Sequence, residues 1–323
     1  MKVIFVKNAE RISRKSRSGI LVHFGENKYK EINIRDIEAL FILGSKVLIE
    51  SCAISLLSSF NIPVAIISKL GVSLLSTHML TYYNDVRRAQ YAMNDEERQK
   101  IMLEILLAKF RGFSNIIKYY GRDEPDIHYT EDLEKGNISL LLWEALNSKA
   151  YWEKVLGILP GDILDTLKAR YGFEGRKPRA KDPFNKSISL LYALLYAMSL
   201  RALVASGLDP TEGLHHKTRY STPLVFDYVE MYKPIAVHAV LKTFKSKSEK
   251  ININKDGNLT KDSIEILAKE FFLIMRARIR NTRMTPYRAV YINTYRLARR
   301  IRGDEKVRYT FTYNPKKLIL HDF

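Results

Sequence analysis

The sequence predicts an α+β protein with an N-terminal β-rich domain followed by a larger all-α domain. Within residues 1–80, short runs of β-branched or alternating apolar residues are separated by glycines, which is typical of strands and turns. From about residue 82 the apolar positions instead recur with the period of a helix. We therefore place the β domain at residues 1–80, a linker at 81–90 and the helical domain at 91–323.

Six segments of the N-terminal part are predicted to be strands, and one helix interrupts them at about residues 49–59. The segment 11–19, RISRKSRSG, is basic and predicts a solvated loop, which we interpret as a solubility feature rather than as a binding site. The predicted strands are residues 3–6, 20–24, 28–34, 39–44, 64–68 and 72–77.

The helical part contains one long uncharged run, residues 187–200. A transmembrane helix needs about 20 apolar residues, so this shorter run predicts a buried core helix. We therefore expect a soluble, cytoplasmic protein without a membrane partner. Further along, residues 252–263 resemble the beginning of a calcium-binding loop, but Ser263 stands where the last ligand, a glutamate, is required. A turn followed by a helix capped by Thr260 is the better interpretation.

The charge balance indicates a polyanionic partner. Lysine and arginine number 53 against 35 acidic residues, which gives a formal net charge of +18. Nucleic acid is the first candidate for such a partner, and an anionic membrane surface is the second. Residues 276–302 contain nine arginines, three interleaved tyrosines and no acidic residue, and we interpret this segment as a nucleic-acid surface.

Several catalytic classes are excluded by the residues that the chain lacks. The single cysteine, Cys52, rules out an intramolecular disulfide and a zinc cluster built on thiolates. The sequence also lacks a GxxxxGK phosphate loop, a GxGxxG turn after a strand and a GxSxG elbow. A metal site is the arrangement that remains.

The segment 213–234 has the composition of such a site. Pro223 suits the first position of a helix, and on that helix Asp227 and Glu230 are three residues apart, so their side chains share a face. His216 lies in the loop that leads into the helix. One imidazole and two carboxylates suit a hard divalent ion. Taken alone, however, the segment favours an acidic surface helix beside an ordinary loop histidine, and a metal site is the alternative.

A third carboxylate candidate, Glu144, follows the apolar run Leu140–Trp143 in a helical segment. Burial of a lone glutamate is costly unless a cation meets the carboxylate. A metal ion would be such a cation, and an arginine in the core is the alternative. The segment itself favours neither.

These residues resemble two motifs of CRISPR-associated protein one, the integrase family of CRISPR adaptation. The first motif is a Glu followed by small residues and a Tyr–aromatic pair, which here are Glu144, Ala145, Tyr151 and Trp152. The second motif begins with Gly–aromatic–x–His and continues through an Arg to an acidic helix that ends in aromatic–basic–Pro. Its counterparts here are Gly213, Leu214, His216, Arg219, Asp227, Glu230 and Tyr232-Lys233-Pro234. The order of β part and α part agrees over essentially the whole length, as does the segment Asp182-Pro183-x-Asn185.

The chain departs from the family pattern at three positions. Ala145 replaces the usual Gly, Leu214 replaces the usual Phe, and His215 adds a second imidazole beside His216. The spacing favours His216 as the functional histidine.

The resemblance implies a metal-dependent DNA endonuclease and integrase that inserts new spacers into a CRISPR array by phosphodiester transesterification, with a 3′-hydroxyl as the attacking group. The helical domain would be catalytic: Glu144, His216 and Glu230 would bind one Mg²⁺ or Mn²⁺, and Asp227 would position a ligand or water. DNA phosphates would be bound by Lys217, Arg219, Arg176 and Arg179. The family also implies a homodimer formed through the β domains. Two such dimers would be bridged by CRISPR-associated protein two around double-stranded DNA, branched or with 3′ ends.

The sequence leaves alternatives from other classes. His216 and Arg219 also form the HxxR pattern of a tyrosine recombinase, which needs no metal and forms a covalent phosphotyrosine. A DNA-bridging protein without catalysis would lack a metal ligand, and all four candidates are present here. A stand-alone nuclease for branched DNA in repair would use the same site on another substrate, so the residues alone do not separate it from an integrase.

Overall fold

The computed structural model describes residues 2–25, 28–43, 46–68, 71–75, 83–125, 133, 138–178, 180–216 and 222–319. Three of the residues expected to bind nucleic acid, Arg179, Lys217 and Arg219, lie outside the described residues, as do residues 76–82 between the predicted β and α parts. Within the described part, the chain begins with strands and continues mostly with helices, as the sequence predicts.

All six predicted strands form, and the structure adds strands that the sequence did not predict. The strands are β1 (Lys2–Lys7), β2 (Arg11–Arg14), β3 (Gly19–His23), β4 (Tyr29–Asn33), β5 (Ile37–Leu43), β6 (Leu48–Ile49), β7 (Val64–Ser68), β8 (Gly71–Leu75), β9 (Arg278–Ile279) and β10 (Leu318–Ile319). The prediction of a solvated loop was wrong for β2. Its backbone pairs with β3 and β6, and Ile12 is fully buried although its neighbours are polar.

The helices agree with the predicted period, and their starts follow local signals. They are α1 (Ser51–Ser59), α2 (Asn84–Ala92), α3 (Asp95–Tyr119), α4 (Leu140–Leu156), α5 (Gly161–Tyr171), α6 (Pro183–Ala205), α7 (Pro223–Val229), α8 (Lys233–Lys247), α9 (Lys261–Arg276) and α10 (Pro286–Ile301), with short 3₁₀ turns at Ile34–Asp36, Glu230–Tyr232, Ser248–Lys250 and Pro315–Lys317. Helix α7 begins at Pro223, and the Thr260 hydroxyl caps α9 by accepting the N–H of Ser263 at 3.3 Å. The predicted cap is therefore confirmed in place of a calcium-binding loop.

Two four-stranded sheets form the N-terminal part of the chain. One has the order β1-β5-β7-β8, in which β1, β5 and β7 are parallel and β8 is antiparallel at the edge. The other has the order β4-β3-β2-β6. Their common core includes the fully buried Ile12, Ile20, Ile34 and Leu40. Burial of each such side chain stabilises the fold by about 1.5–3 kcal/mol.

The chain divides into two compact units, and each unit contains segments that are distant in sequence. Unit 1 consists of residues 1–94, 196–227 and 291–309, and unit 2 of residues 95–195, 228–290 and 310–323. Most strands precede the boundary predicted at residues 81–90 and most helices follow it, but the division into domains at 1–80 and 91–323 stays a prediction. The unit that contains the sheets also includes helical segments from later in the chain.

Polar contacts attach these later segments to the strands of unit 1. The Arg201 guanidinium donates to the carbonyl of Ile37 at 3.1 Å. The Tyr291 hydroxyl donates to the carboxylate of Glu38 at 2.8 Å. Because Glu38 is only 1% exposed, the tyrosine satisfies a carboxylate that would otherwise be costly to bury.

Helix α3 is the central helix of unit 2, where it packs against α4, α8 and the turn Glu230–Tyr232. At Gly112 the approach is close, since a Cβ atom there would lie 2.9 Å from Cγ of Pro234. The Tyr228 hydroxyl donates to the carbonyl of Val290 at 2.7 Å. The end of α7 is thereby held to the start of α10.

Helix α6 is the one described helix that is long and apolar enough, by length and composition, to cross a membrane. In its most apolar window of 18 residues, 67% is buried inside the protein. This burial agrees with the core helix predicted for residues 187–200, and core helices commonly pass the same test of length and composition.

Candidate metal centre and nucleic-acid surface

Two carboxylates of unit 2 meet at one buried ammonium group. Lys109 Nζ on α3 lies 2.7 Å from Oε1 of Glu144 on α4 and 2.8 Å from Oε2 of Glu230 in the 3₁₀ turn after α7. The side chains of Lys109, Glu144 and Glu230 are 7%, 16% and 3% exposed. The structure thus brings together the two glutamates predicted for a metal site, around a cation that belongs to the chain itself.

Local packing fixes the helix that presents Glu144. The Ser139 hydroxyl caps α4 by accepting the N–H of Leu142 at 3.3 Å. One turn in, Trp143 packs edge-on against Phe110 with ring centroids 5.4 Å apart. Because Phe110 follows Lys109 on α3, this contact sets the spacing of the two helices at the level of the charges.

Lys109 was not predicted as a site residue, although the sequence contains a signal for it. On α3, Lys109 lies four residues after Ile105 and three after Leu106, both fully buried, and four before the buried Phe113. Residues at these spacings share one face of a helix, so Lys109 is on the apolar stripe of α3. A lysine in such a position is rarely buried without a carboxylate partner. A metal ion or a core arginine had been considered as the partner of Glu144, and the partner in the structure is this lysine.

Two lysines determine the protonation of Glu230. Burial would raise the pKa of its carboxyl group, but the charges of Lys109 and Lys233 lower that pKa to about 2. Burial would also lower the pKa of Lys109, but the carboxylates of Glu230 and Glu144 raise it above the usual lysine value. At neutral pH the cluster therefore contains an ionised Glu230 and a charged Lys109.

Both oxygens of Glu230 face a lysine ammonium group. Lys233 donates a hydrogen bond to Oε1, and Lys109 Nζ lies 2.8 Å from Oε2. Buried carboxylate oxygens normally have such partners. Carboxylate oxygens are also the ligands that a hard divalent cation prefers, so the same two glutamates could hold one.

A second group of predicted site residues lies in unit 1, around the fully buried carboxylate of Asp227. This carboxylate accepts the backbone N–H groups of Leu214, His215 and His216 at 2.7, 3.1 and 3.3 Å. It also contacts Nδ1 of the His216 ring at 2.5 Å. Asp227 therefore holds both the backbone and the ring of His216, and this ring contact distinguishes His216 from His215.

Gly213 makes this arrangement sterically feasible. A Cβ atom at Gly213 would lie 2.4 Å from the carbonyl oxygen of His216, 2.8 Å from Cβ of Pro223 and 3.0 Å from Oδ2 of Asp227. Any residue with a side chain would displace the loop from the start of α7.

Among the residues that the structure describes, no three His, Cys, Asp or Glu side chains converge in a group able to hold a metal ion. In unit 2, the ammonium of Lys109 stands between Glu144 and Glu230. His216 belongs to unit 1. The three-ligand set derived from the family resemblance therefore remains a prediction.

Arg176, which was expected to bind DNA phosphates, is engaged within unit 2. Its Nη1 atom donates to the carbonyl of Lys177 and to Oδ1 of Asn185, both at 2.9 Å. The guanidinium lies 5.7 Å from the ring centroid of Tyr192 and 6.0 Å from that of Trp152. These contacts anchor the loop that precedes α6, and a phosphate contact by Arg176 remains a prediction.

Unit 2 also presents a cluster of exposed cations, which we call the basic surface. Its centre is the turn after β9, where the Thr282 hydroxyl donates to the carbonyl of Ile279 at 2.8 Å and the Arg278 side chain donates to that of Thr282 at 2.9 Å. Strand β9 pairs with β10, which follows two exposed lysines. None of these cations forms an ion pair with a carboxylate in the described part of the chain. The basic surface consists of Arg276, Arg278, Arg280, Arg283, Arg288, Lys316 and Lys317.

The interpretation of residues 276–302 as one continuous nucleic-acid surface needs correction. Tyr291 is hydrogen-bonded to the buried Glu38 and supports the sheet instead of offering a face for stacking. Arg302 pairs with Asp85 at 2.7 Å. Unpaired cations are therefore concentrated in the first half of the segment, because the second half of α10 packs within unit 1.

Comparison with known proteins identifies relatives along most of the chain. A family model described as CRISPR associated protein Cas1 matches residues 4–271. The chain is 27% identical over 264 residues to the CRISPR-associated endonuclease Cas1 of Nanoarchaeum equitans, which covers 75% of this chain and 76% of that protein. It is 37% identical over 107 residues to the same-named protein of Hyperthermus butylicus, and this match spans 33% of the chain and 29% of the relative.

Two solved structures share the fold. One is a casposase bound to an integration product, with a TM-score of 0.74 and 18% identity. The match covers 100% of this chain and 96% of the casposase chain. The other is a Cas1 protein from Thermotoga maritima, with a TM-score of 0.74 and 17% identity. The match covers 95% of this chain and 99% of the Thermotoga chain. The N-terminal strands and the mostly helical remainder match those of the Thermotoga protein. Since the family model spans well over half of the sequence, the chain belongs to the Cas1 family of CRISPR-associated proteins.

Proposed function

We propose that the protein is a metal-dependent DNA endonuclease and integrase of CRISPR adaptation, which inserts new spacers into a CRISPR array by transesterification. The observation that supports this most directly is the buried pair of Glu144 and Glu230 around one cation, in a chain of the Cas1 family. Buried ion pairs are weak stabilisers compared with apolar residues of similar volume. Two carboxylates aimed at one point are therefore better explained by a function than by core stability.

The types of the proposed ligands suit a divalent ion. Glu144 and Glu230 would supply oxygen ligands and His216 a nitrogen ligand, a set that suits Mg²⁺ or Mn²⁺. The buried Oε2 atom of Glu230, which faces the same cation as Glu144, is suited to the same role. When bound, the ion would polarise the scissile phosphate and favour the deprotonated form of the attacking 3′-hydroxyl.

Asp227 would act through His216. Its carboxylate contacts Nδ1 of the ring at 2.5 Å, so the imidazole would bind an ion through Nε2. The backbone hydrogen bonds to residues 214–216 keep the carboxylate and the loop in one arrangement. Asp227 is thus proposed as a positioning residue.

DNA would be held through its phosphates. The net charge of +18 provides a general attraction, and the exposed cations of the basic surface provide a local one. Arg176, Arg179, Lys217 and Arg219 are proposed to contact phosphates near the carboxylates. The substrate would be double-stranded DNA, branched or with 3′ ends.

The proposed assembly follows from family membership. We propose that the protein forms a homodimer, that it joins CRISPR-associated protein two in a larger integration complex, and that it acts in the cytoplasm.

A strand-transfer assay tests this function. The protein, with CRISPR-associated protein two, is mixed with a DNA fragment that has 3′-hydroxyl ends and a plasmid that contains a repeat array. We expect joining in Mg²⁺ or Mn²⁺ and none in EDTA. Joining in EDTA, with DNA covalently attached to denatured protein, would instead identify a tyrosine recombinase. Cleavage of branched DNA without joining to the array would identify a repair nuclease.

Matched variants connect the assay to the cluster. Glu144→Gln should reduce strand transfer roughly 1000-fold or more, while DNA binding in a gel-shift assay survives. Glu153→Gln removes a carboxylate from the exposed side of the same helix and should retain wild-type activity. His216→Ala should also abolish strand transfer. A fully active His216→Ala protein would contradict that assignment and direct attention to His215.

A further inference from the structure

We propose that Lys109 is the resident cation of the Glu144–Glu230 pair, and that a divalent ion binds there only when this ammonium leaves the position between the two carboxylates. The inference rests on the proposed function, because it takes both glutamates to be metal ligands. It adds a competition within the chain itself, which sets how tightly metal is bound.

The distances make the two cations mutually exclusive. Lys109 Nζ lies 2.7 Å from Glu144 Oε1 and 2.8 Å from Glu230 Oε2. Mg²⁺ requires oxygen ligands at about 2.1 Å, so an ion bound to the same two oxygens would overlap the ammonium. Like charges also repel strongly where burial limits screening by water.

Both oxygens of Glu230 are already faced by an ammonium group. Lys233 bonds Oε1, and Lys109 faces Oε2. An ion that binds Glu230 through the lone pairs that face the lysines therefore replaces one of the two lysines. Lys109 is the one that also contacts Glu144. Its displacement opens both carboxylates at once.

The displaced ammonium has two other partners nearby, the Ser148 hydroxyl and the Phe110 ring. Lys109 Nζ already lies 3.3 Å from the hydroxyl oxygen of Ser148, one turn beyond Glu144 on α4, and 5.1 Å from the ring centroid of Phe110. Ser148 is half-buried. A small rotation toward Ser148 would keep two partners for the ammonium while making it more accessible to water.

In the metal-free protein, Lys109 has the opposite effect, because it stabilises the fold. Two ionised carboxylates that share a buried site repel each other unless a cation separates them. Lys109 supplies that cation before metal arrives. The same residue thus stabilises the metal-free protein and weakens metal binding.

Binding of Mn²⁺ to metal-free protein, followed by the electron paramagnetic resonance of the unbound ion and by thermal unfolding, tests this inference. We expect Lys109→Met to bind Mn²⁺ roughly tenfold or more tightly than the wild type, since no ammonium competes. Its metal-free form should unfold at a lower temperature, and Mn²⁺ should raise that temperature by more than it does for the wild type. Equal or weaker binding by a folded Lys109→Met protein would overturn the inference.

Two further variants control for the loss of a charge. Lys109→Arg retains a cation and should bind Mn²⁺ no more tightly than the wild type. Lys100→Met removes an exposed lysine from the same helix, where it pairs with Glu96 at 2.8 Å, and should leave Mn²⁺ affinity unchanged. Tightening in either control that matches the effect of Lys109→Met would contradict displacement as the cause.

The wild-type protein provides a measurement that does not depend on a variant folding. Reductive methylation followed by peptide mass spectrometry should modify Lys109 slowly without metal, since its side chain is 7% exposed, and faster with Mn²⁺. Unchanged modification at saturating Mn²⁺ would overturn the inference. A wild type that binds no Mn²⁺ and joins no DNA would instead contradict the proposed function itself.

Discussion

The Oδ1 atom of Asp227 lies 2.5 Å from the Nδ1 atom of His216. Asp227 is fully buried, whereas the side chain of His216 is 40% exposed, so a fixed internal group orients a ring at the surface. A carboxylate behind an imidazole sets the tautomer of the ring and makes its other nitrogen a better donor to a metal. The pair therefore supports the proposed positioning role of Asp227, which the spacing of Asp227 and Glu230 along the chain did not reveal.

Replacement of Asp227 by Asn should destabilise the protein and release His216. The amide has one acceptor oxygen, so its NH₂ group would face backbone N–H donors that the carboxylate now satisfies. We expect the free energy of unfolding to fall by about 2–3 kcal/mol, as measured by urea denaturation. Asp256→Asn, at an exposed turn, is the control and should change the free energy by no more than about 0.5 kcal/mol. A stable Asp227→Asn protein with an unchanged ¹⁵N spectrum of His216 would contradict the proposed role.

Gly213→Ala should disturb the same loop by steric means. The added Cβ atom would lie 2.4 Å from the carbonyl oxygen of His216, which real structures do not tolerate. We expect a loss of about 1–3 kcal/mol in unfolding free energy and a loss of strand transfer. Gly161→Ala is a matched control at the first residue of α5, because a Cβ atom there meets nothing within 4 Å. Equal stability of the Gly213→Ala and Gly161→Ala proteins would contradict the steric restriction at Gly213.

The basic surface should determine part of the salt dependence of DNA binding. Each phosphate contact that is lost reduces the slope of log affinity against log salt by about 0.9. We therefore expect Arg280→Ala/Arg283→Ala to reduce the slope by about 2, measured by fluorescence anisotropy on duplex DNA. Lys255→Ala/Lys261→Ala makes the same change in net charge at other exposed positions of unit 2 and should leave the slope nearly unchanged. Equal slopes for the two double variants would mean that only net charge matters.

Most of the secondary structure could be predicted from the sequence, because helical and strand periods are properties of short segments. The sequence predicted six strands, the long apolar helix and the start of α7 at Pro223. The two compact units could not be predicted from the sequence, because they depend on long-range contacts. One example is the hydrogen bond between Tyr291 and Glu38, which are more than 250 residues apart. Strand β2 was missed because its basic residues mask the buried Ile12.

The candidate site was predicted only in part, for a similar reason. Glu144 and Glu230 could be named from motifs, but the cation between them comes from a third segment. Lys109 stands on an apolar stripe, which signals a buried partner without saying which one. The pairing of Asp227 with the backbone of residues 214–216 depends on a loop path that side-chain spacing does not determine.

A buried histidine outside the proposed site should make stability depend on pH. His238 Nδ1 lies 2.6 Å from the Tyr313 hydroxyl, and its ring packs against those of Tyr119 and Tyr120. Burial, together with the nearby charge of Lys242, lowers the pKa of His238 from 6.5 to about 3. The folded protein therefore keeps this imidazole neutral over a range of pH in which the unfolded chain protonates it.

The sign of the effect follows from proton uptake. As pH falls from about 6.5 to about 3, the unfolded state binds a proton at His238 that the folded state does not, so stability falls by about 1.4 kcal/mol per pH unit. Above that range the residue contributes no pH dependence. His238→Asn places an amide near the position of Nδ1, retains a partner for Tyr313 and cannot titrate. Urea unfolding of both proteins across this range should give curves that converge toward acidic pH as the wild type loses stability. Parallel curves would mean that His238 accepts a proton within the folded protein.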